Sequence, residues 1–326
     1  MTVEQIVLEL QDYQTHDFVA WKGIHVDWFL DIFCETPYAQ RLKEFGCELW
    51  FIRKVCIIVW LRRRGITSGA LIDHVHIVRG WQPNGDDQIV SEETPLLMSQ
   101  GVLKQPYGTQ SPVAPATTFV SYTGGYTFAH FANMLERLRG EYIWMDIFSV
   151  DQFAWTEKAK TPEMKKKAAE ELSGGLTARI QEIGHTALML ERWSNVMATL
   201  GQIWVVWEIF CTVDAGATFQ VLLSDEERDR FTRSLEFSDD EFENFMSILA
   251  EIDVGKAEAK DPNDREYILS QVQERGVYEV NCQVTERLQK WLADTGREHV
   301  ATLNSEEAQL TANENLASLL CRQGKL

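Results

Sequence analysis

Glu208 is a carboxylate in an otherwise apolar stretch of the chain, which makes it a candidate catalytic residue. Residues 203–210 read IWVVWEIF, and every neighbour of Glu208 in this run is apolar. A carboxylate that a helix carries into apolar surroundings needs a hydrogen-bonding partner or a chemical role. Trp204 precedes Glu208 by four residues, so the two side chains share one helix face. The alternative is that Glu208 is solvated, as most glutamates are.

The glycine pair Gly124-Gly125 is a second candidate binding feature, because it lies between a predicted strand and a predicted helix. That position suits contact between a phosphate group and a helix N-terminus. The full Gly-x-Gly-x-x-Gly pattern is absent, so a tight turn is the simpler interpretation. The seven histidines and six cysteines form no metal-binding pattern, and we expect no metal site.

Short apolar runs alternate with helical patterns in the middle of the chain. We predict strands at 117–122, 141–148, 186–190 and 218–223, and helices at 128–138, 162–183 and 202–213. This order predicts a parallel sheet that is covered by helices on both faces. Ligands bind such sheets beyond the carboxyl ends of the strands, which here are 121–125, 146–152 and 191–193.

The chain divides into four regions by composition. Residues 1–80 show helical spacing of apolar and aromatic residues, whereas residues 81–116 have the Pro and Gly content of a linker or arm. Residues 117–295 are expected to form the α/β domain with its C-terminal helices, one of which begins with Ser224 as its cap. Residues 296–326 are expected to be a polar tail.

Charge and apolar content exclude several classes of function. A net charge of −18 argues against nucleic acid and against broad surfaces of anionic lipid. The most apolar early segment, Leu49 to Leu61, contains charged residues and is too short to span a bilayer, so we interpret it as a buried helix. The N-terminus lacks the pattern of a secretory signal, and the cysteines favour reduced thiols. We therefore expect a cytoplasmic protein.

The order of four sequence blocks resembles a Toll/interleukin-1-receptor (TIR) domain. FVSY at 119–122 is similar to the first TIR strand, and YIWMDIFSVDQF at 142–153 to the second strand and its loop. The next TIR helix and third strand resemble residues 176–190, LTARIQEIGHTALML. The TIR helix with the W-x-x-x-E pattern and the fourth strand resemble residues 203–223, IWVVWEIFCTVDAGATFQVLL. A similar arrangement occurs in algal and protist proteins, with W-C-x-x-E where this chain has WVVWE. The resemblance implies a flavodoxin-like α/β fold.

The resemblance also implies a chemistry for Glu208. Enzymatic TIR domains cleave NAD between nicotinamide and ribose, and a carboxylate beside the ribose stabilises the cationic transition state. Glu208 is then the catalytic residue, NAD is the substrate, and no further cofactor is required. The nucleotide-binding residues implied are Ser121, Tyr122, Gly124, Phe148, Asp151, Gln152, Trp193 and Trp204.

Three functions stay open at this point. Many TIR domains act by self-association, so the first interpretation is a protein-interaction and assembly module, to which NAD cleavage at Glu208 is an added activity. The second is an NAD glycohydrolase of a signalling or defence pathway. A nucleoside deoxyribosyltransferase-like enzyme shares the sheet order and a catalytic glutamate, although no residue favours it specifically. Self-association or other protein partners are expected in the first two cases.

Overall fold

The computed structural model describes most of the chain outside several segments, of which 53–112 is the longest. The described residues are 22–35, 37–52, 113–150, 175–237, 252–303 and 309–314, with single positions at 161, 163, 170, 247, 249, 305 and 317. They belong to two compact units. Unit 1 is Met1–Phe119 with Thr127–Ala159, and unit 2 is Val120–Tyr126 with Lys160–Leu326.

The protein has an α/β fold with a six-stranded mixed sheet that is flanked by helices. The strands are β1 (Lys22–His25), β2 (Val113–Pro115), β3 (Thr118–Ser121), β4 (Tyr142–Trp144), β5 (His185–Met189) and β6 (Thr218–Leu222). Their order in the sheet is β2-β1-β4-β3-β5-β6. β3 runs parallel to β4 and β5 parallel to β6, whereas β1 is antiparallel to both β2 and β4.

The α/β class is confirmed, but the expectation of a purely parallel sheet is wrong, because β1 and β2 add an antiparallel edge. β1 lies in the region expected to be helical, and β2 in the expected linker. Both strands are too short for an alternating pattern to be visible in the sequence. Gly23 permits the close approach of β1 to β4, since a Cβ there would lie 2.8 Å from the Tyr142 backbone. Pro115 is tolerated because β2 is an edge strand.

Unit 1 packs short helices around an aromatic core. The helices are α1 (Val26–Trp28, continued by a π-helical turn at Phe29–Phe33), α2 (Pro37–Glu44), α3 (Leu49–Phe51), α4 (Phe128–Leu135, continued by a 3₁₀ turn at Glu136–Leu138) and α5 (Asp146–Ser149). Thr127 caps α4, because its side chain accepts a hydrogen bond from the His130 N–H. Gly140 follows with a φ of 86°, a conformation that favours glycine. The predicted strand at 141–148 ends early, because α5 begins at Asp146.

Unit 2 contains the longer helices. They are α6 (Leu176–Ile183), α7 (Met197–Leu200), α8 (Ile203–Asp214), α9 (Asp225–Phe237), α10 (Pro262–Arg275) and α11 (Val277–Thr302). The predicted cap of α9 is confirmed, since Ser224 Oγ accepts from the Glu227 N–H at 3.3 Å. The last of these helices, α11, extends over 26 residues and buries Gly296, the first residue of the expected polar tail.

Some expectations fall on residues outside the described part of the chain. These are most of the predicted arm at 81–116, the apolar segment after Ile52, and the loop that contains Asp151 and Gln152. Within the described ranges, no helix combines the length and apolar character that crossing a membrane requires.

Candidate functional site

Glu208 meets Ser121 at the carboxyl end of β3, within unit 2. Ser121 is the last residue of β3 and is fully buried, whereas Glu208 lies in the middle of α8 and is half-buried. Ser121 Oγ donates a hydrogen bond to Glu208 Oε2 over 2.5 Å. Hydrogen bonds to a carboxylate are short and strong, so this contact fixes the orientation of the Glu208 side chain. The carboxylate in the apolar helix thus has a partner.

Two buried threonines hold the α8 backbone at Glu208. Thr212 Oγ1 lies 2.7 Å from the Glu208 carbonyl oxygen and 2.9 Å from Thr186 Oγ1 of β5. The Thr212 hydroxyl is the donor in both contacts, so its one hydrogen is shared between the Glu208 carbonyl oxygen and Thr186 Oγ1. Both threonines are fully buried. The backbone that carries Glu208 is therefore tied to β5 by side chains in the core.

Tyr126 anchors the loop that follows Ser121. Its side chain is buried, and its hydroxyl donates to the Met189 carbonyl at the end of β5 over 2.9 Å. The same hydroxyl lies 2.5 Å from Thr199 Oγ1, which therefore acts as the donor in that contact. Burial raises the pKa of Tyr126. The loop 122–125 is thus held at one end by Ser121 and at the other by Tyr126.

Tyr122 and Gly124 lie in this loop, and both are half-buried. Gly124-Gly125 forms the turn between β3 and Tyr126, as the simpler interpretation of the sequence predicted. The structure therefore brings together Ser121 and Glu208 by direct contact, and it places Tyr122 and Gly124 in the segment that continues from Ser121.

The two tryptophans among the implied nucleotide-binding residues, Trp193 and Trp204, make packing and hydrogen-bond contacts in unit 2. The Trp193 ring is fully buried and packs edge-to-face on Phe231, with ring centres 5.3 Å apart. Its backbone N–H donates to Glu227 Oε2 over 3.2 Å. Trp204 is half-buried, and its Nε1 donates to Asp264 Oδ2 of α10 over 3.2 Å. These contacts give Trp193 a role in core packing and Trp204 a role in attaching α10.

Phe148 belongs to the core of unit 1. Its ring is buried and lies 5.2 Å from the ring of Phe29 and 6.3 Å from that of Phe131, measured between ring centres. Asp151 and Gln152 fall outside the described residues, so their implied contact with the nucleotide stays a prediction.

Sequence reasoning missed Tyr126, Thr199 and Thr212 as supports of the site. Each contributes a buried hydroxyl whose partner lies on another element. No spacing in the sequence marks such a hydroxyl. The one available signal was that Tyr126 directly follows Gly124-Gly125. A turn fixes the position of the large side chain that comes after it.

The site offers one oriented carboxylate and one hydroxyl. Such a carboxylate can accept hydrogen bonds from a polyol and can stabilise a positive charge that develops nearby. Among the residues that the structure describes, no cluster of three or more His, Cys, Asp or Glu side chains is arranged to hold a metal ion. Cys34, Cys47, Cys211 and Cys282 are free thiols.

In comparison with known proteins, no family model, no curated protein and no solved structure matches this chain. The geometry defines an α/β protein in which a glutamate on a buried helix is hydrogen-bonded to a serine at the carboxyl end of a strand.

Proposed function

We propose that this chain is a TIR-like enzyme that hydrolyses the bond between nicotinamide and ribose in NAD, with Glu208 as the catalytic residue. The observation that carries the proposal is the 2.5 Å hydrogen bond from Ser121 Oγ to Glu208 Oε2. It orients a carboxylate at the carboxyl end of a strand, where doubly wound sheets bind their ligands. The order β4-β3-β5-β6 also supports the proposal. If β3 is counted as the first of these four strands, their order in the sheet is 2-1-3-4, which is the order at the start of flavodoxin-like sheets.

In this reaction, Glu208 acts on the ribose. The bond between the anomeric carbon and the nicotinamide nitrogen breaks, and its electron pair leaves with nicotinamide as a neutral base. The positive charge that develops on the ribosyl group is stabilised by the Glu208 carboxylate, which also accepts hydrogen bonds from ribose hydroxyls. Water adds to the anomeric carbon and loses a proton, so the products are ADP-ribose, nicotinamide and one proton. Ser121 positions the carboxylate.

Release of nicotinamide from NAD by the purified full-length chain tests this proposal. Glu208→Gln retains an oxygen that can accept from Ser121 but removes the negative charge, so we expect release to slow by about 100-fold or more. Glu182→Gln is the matched control, because Glu182 is an exposed glutamate on α6, and its rate should equal that of the unchanged chain. Circular dichroism of both variants checks their folding.

Two results would contradict the proposal. A rate that survives Glu208→Gln removes the role of Glu208. If the unchanged chain releases no nicotinamide, even at protein concentrations high enough to drive self-association, the proposed enzymatic function is wrong.

A second candidate function, an assembly module, is favoured by exposed aromatic residues in unit 1. Phe45 follows α2 and is 78% exposed, and Trp50 in α3 is 41% exposed. Exposed patches of large apolar side chains are typical of interaction sites, and Phe45 and Trp50 lie near each other in the sequence. We infer that the partner is a second copy of this chain, since self-association is what the TIR resemblance implies.

Light scattering over a range of protein concentrations tests the assembly function. We expect the double variant Phe45→Ser/Trp50→Ser to weaken self-association, whereas Tyr278→Ser, which removes an aromatic residue that is 81% exposed in unit 2, should not. A monomer at every concentration contradicts the assembly function. Self-association without nicotinamide release favours it over the enzyme.

A further inference from the structure

A groove of about 580 Å³ runs along one face of α11 in unit 2. It is bordered by the end of α8, by the turn before β6 and by α11. Its apolar lining includes Val213, Ala217 and Ala293. Its lining residues include neither Ser121 nor Glu208, so the groove is a different place from the site described above.

The groove carries more basic than acidic side chains. Arg287, Lys290 and Arg297 line it together with Glu286 and Asp294. This local excess of positive charge occurs in a chain with a net charge of −18. Arg287, Lys290, Asp294 and Arg297 follow one another at intervals of three or four residues, so they share one face of α11.

Arg287 is held in the groove without a carboxylate partner among the described residues. Its Nη2 donates to the Ala217 carbonyl oxygen over 3.2 Å, and its guanidinium carbon lies 5.4 Å from the centre of the Phe219 ring. Its Nε is buried and has no hydrogen-bond partner within the described part of the chain. A guanidinium has five N–H donors, and these contacts use few of them. Burial lowers the pKa of Arg287.

Asp294 attracts Arg287 at a distance, but its carboxylate is paired with other cations. Asp294 pairs with Lys290 at 3.1 Å and with Arg297 at 2.9 Å, so two cations already share its charge. A half-buried guanidinium that lacks an anion is costly to keep, and a bound anion relieves that cost. Buried polar atoms without partners are rare in folded proteins and call for a specific explanation.

We propose that this groove binds a small organic anion, whose carboxylate or phosphate oxygens contact Arg287 and whose apolar part lies over Val213, Ala217 and Ala293. The planar fork of a guanidinium matches the two oxygens of either group. Lys290 and Arg297 add positive charge on the same helix face. The proposal is independent of the reaction at Glu208.

Calorimetric titration of the full-length chain with AMP and with benzoate tests the proposal, because each probe joins one oxyanion to an aromatic body. We expect saturable binding of at least one probe at millimolar concentration, weakened by added salt. Arg287→Gln should raise the Kd about 10-fold or more. Arg233→Gln, which removes an exposed arginine of α9, should leave the Kd unchanged.

The outcomes separate the two chemistries. Binding of AMP alone identifies a phosphate ligand and binding of benzoate alone a carboxylate ligand, and either supports the groove if Arg287→Gln weakens it. AMP is also part of NAD and could bind at the site of Glu208 instead. Binding that persists unchanged in Arg287→Gln therefore overturns the proposal, and so does a failure of both probes to bind. If Arg287→Gln proves unstable, Lys290→Gln gives a second test, because Lys290 is exposed. Unchanged binding of the probes to Lys290→Gln would then overturn the proposal.

Discussion

Ser121 and Glu208 are 87 residues apart in the chain, yet Ser121 Oγ lies 2.5 Å from Glu208 Oε2. One residue ends a strand and the other lies in the middle of a helix. The orientation of the carboxylate therefore depends on where β3 ends as well as on the helix that carries the glutamate.

Ser121→Ala should slow the proposed reaction by loosening this carboxylate. A hydrogen bond to a charged group contributes about 1.5–3 kcal/mol, so we expect kcat for nicotinamide release to fall by roughly 10-fold or more. KM should change less, because the substituted residue acts through Glu208. Initial rates over a range of NAD concentrations measure both constants.

Ser270→Ala is the matched control for this variant, because Ser270 is an exposed serine of α10. A kcat for Ser121→Ala equal to that of the control would show that the hydrogen bond does not position the carboxylate during catalysis.

Part of this site was predictable from the sequence. The run IWVVWEIF indicated that Glu208 needs a partner, and FVSY placed Ser121 at the end of a strand. That the two residues contact each other was not predictable, because the contact depends on how α8 packs against the end of β3. Periodicity reports which face of an element is buried, not which residue lies opposite.

The edge of the sheet was not predictable for a different reason. β1 and β2 contain four and three residues, which is too few for strand alternation to show. Their pairing also joins segments far apart in the chain, since Gly23 pairs with Ala114. Strand pairing over such a separation leaves no local signal.

Tyr126→Phe should destabilise unit 2. The substitution removes the hydroxyl that donates to the Met189 carbonyl and accepts from Thr199, which leaves two buried groups without that partner. We expect a loss of about 1–3 kcal/mol in the free energy of unfolding, measured by urea denaturation. Tyr278→Phe, at a residue that is 81% exposed, should change it little. Equal effects of the two substitutions would mean that the buried hydroxyl contributes nothing.

The phenol of Tyr126 should also make stability depend on alkaline pH. Its pKa is raised above the ordinary value of 10.0, and the main cause is burial. Below that value the phenol is neutral in both states. As the pH rises past it, the unfolded chain loses the proton first, so the stability present at lower pH declines. Absorbance titration of the phenolate should show a late-titrating tyrosine that Tyr126→Phe removes and Tyr267→Phe retains.

Cys34 and Cys211 should resist thiol reagents in the folded protein. Both are buried, and burial raises the pKa of each thiol to about 12. The thiolate is the reactive form, so almost none is present at neutral pH. Mass spectrometry after alkylation should find these two residues labelled only in denaturant, and the half-buried Cys282 labelled without it. Labelling of Cys34 or Cys211 at the rate of Cys282 would contradict their burial.

Thr186 and Thr212 should show energetic coupling, because the Thr212 hydroxyl donates both to Thr186 Oγ1 and to the Glu208 carbonyl. Thr212→Val keeps the shape but leaves the buried Thr186 hydroxyl without this donor, so we expect a loss of about 1–2 kcal/mol in the free energy of unfolding. In Thr186→Val/Thr212→Val both hydroxyls are gone. The double variant should therefore lose less than the sum of the single variants, by about 0.5–1.5 kcal/mol. Urea denaturation of the three variants measures this difference. Strictly additive losses would show that the two hydroxyls do not act as a pair and that α8 is held beside β5 by apolar packing alone.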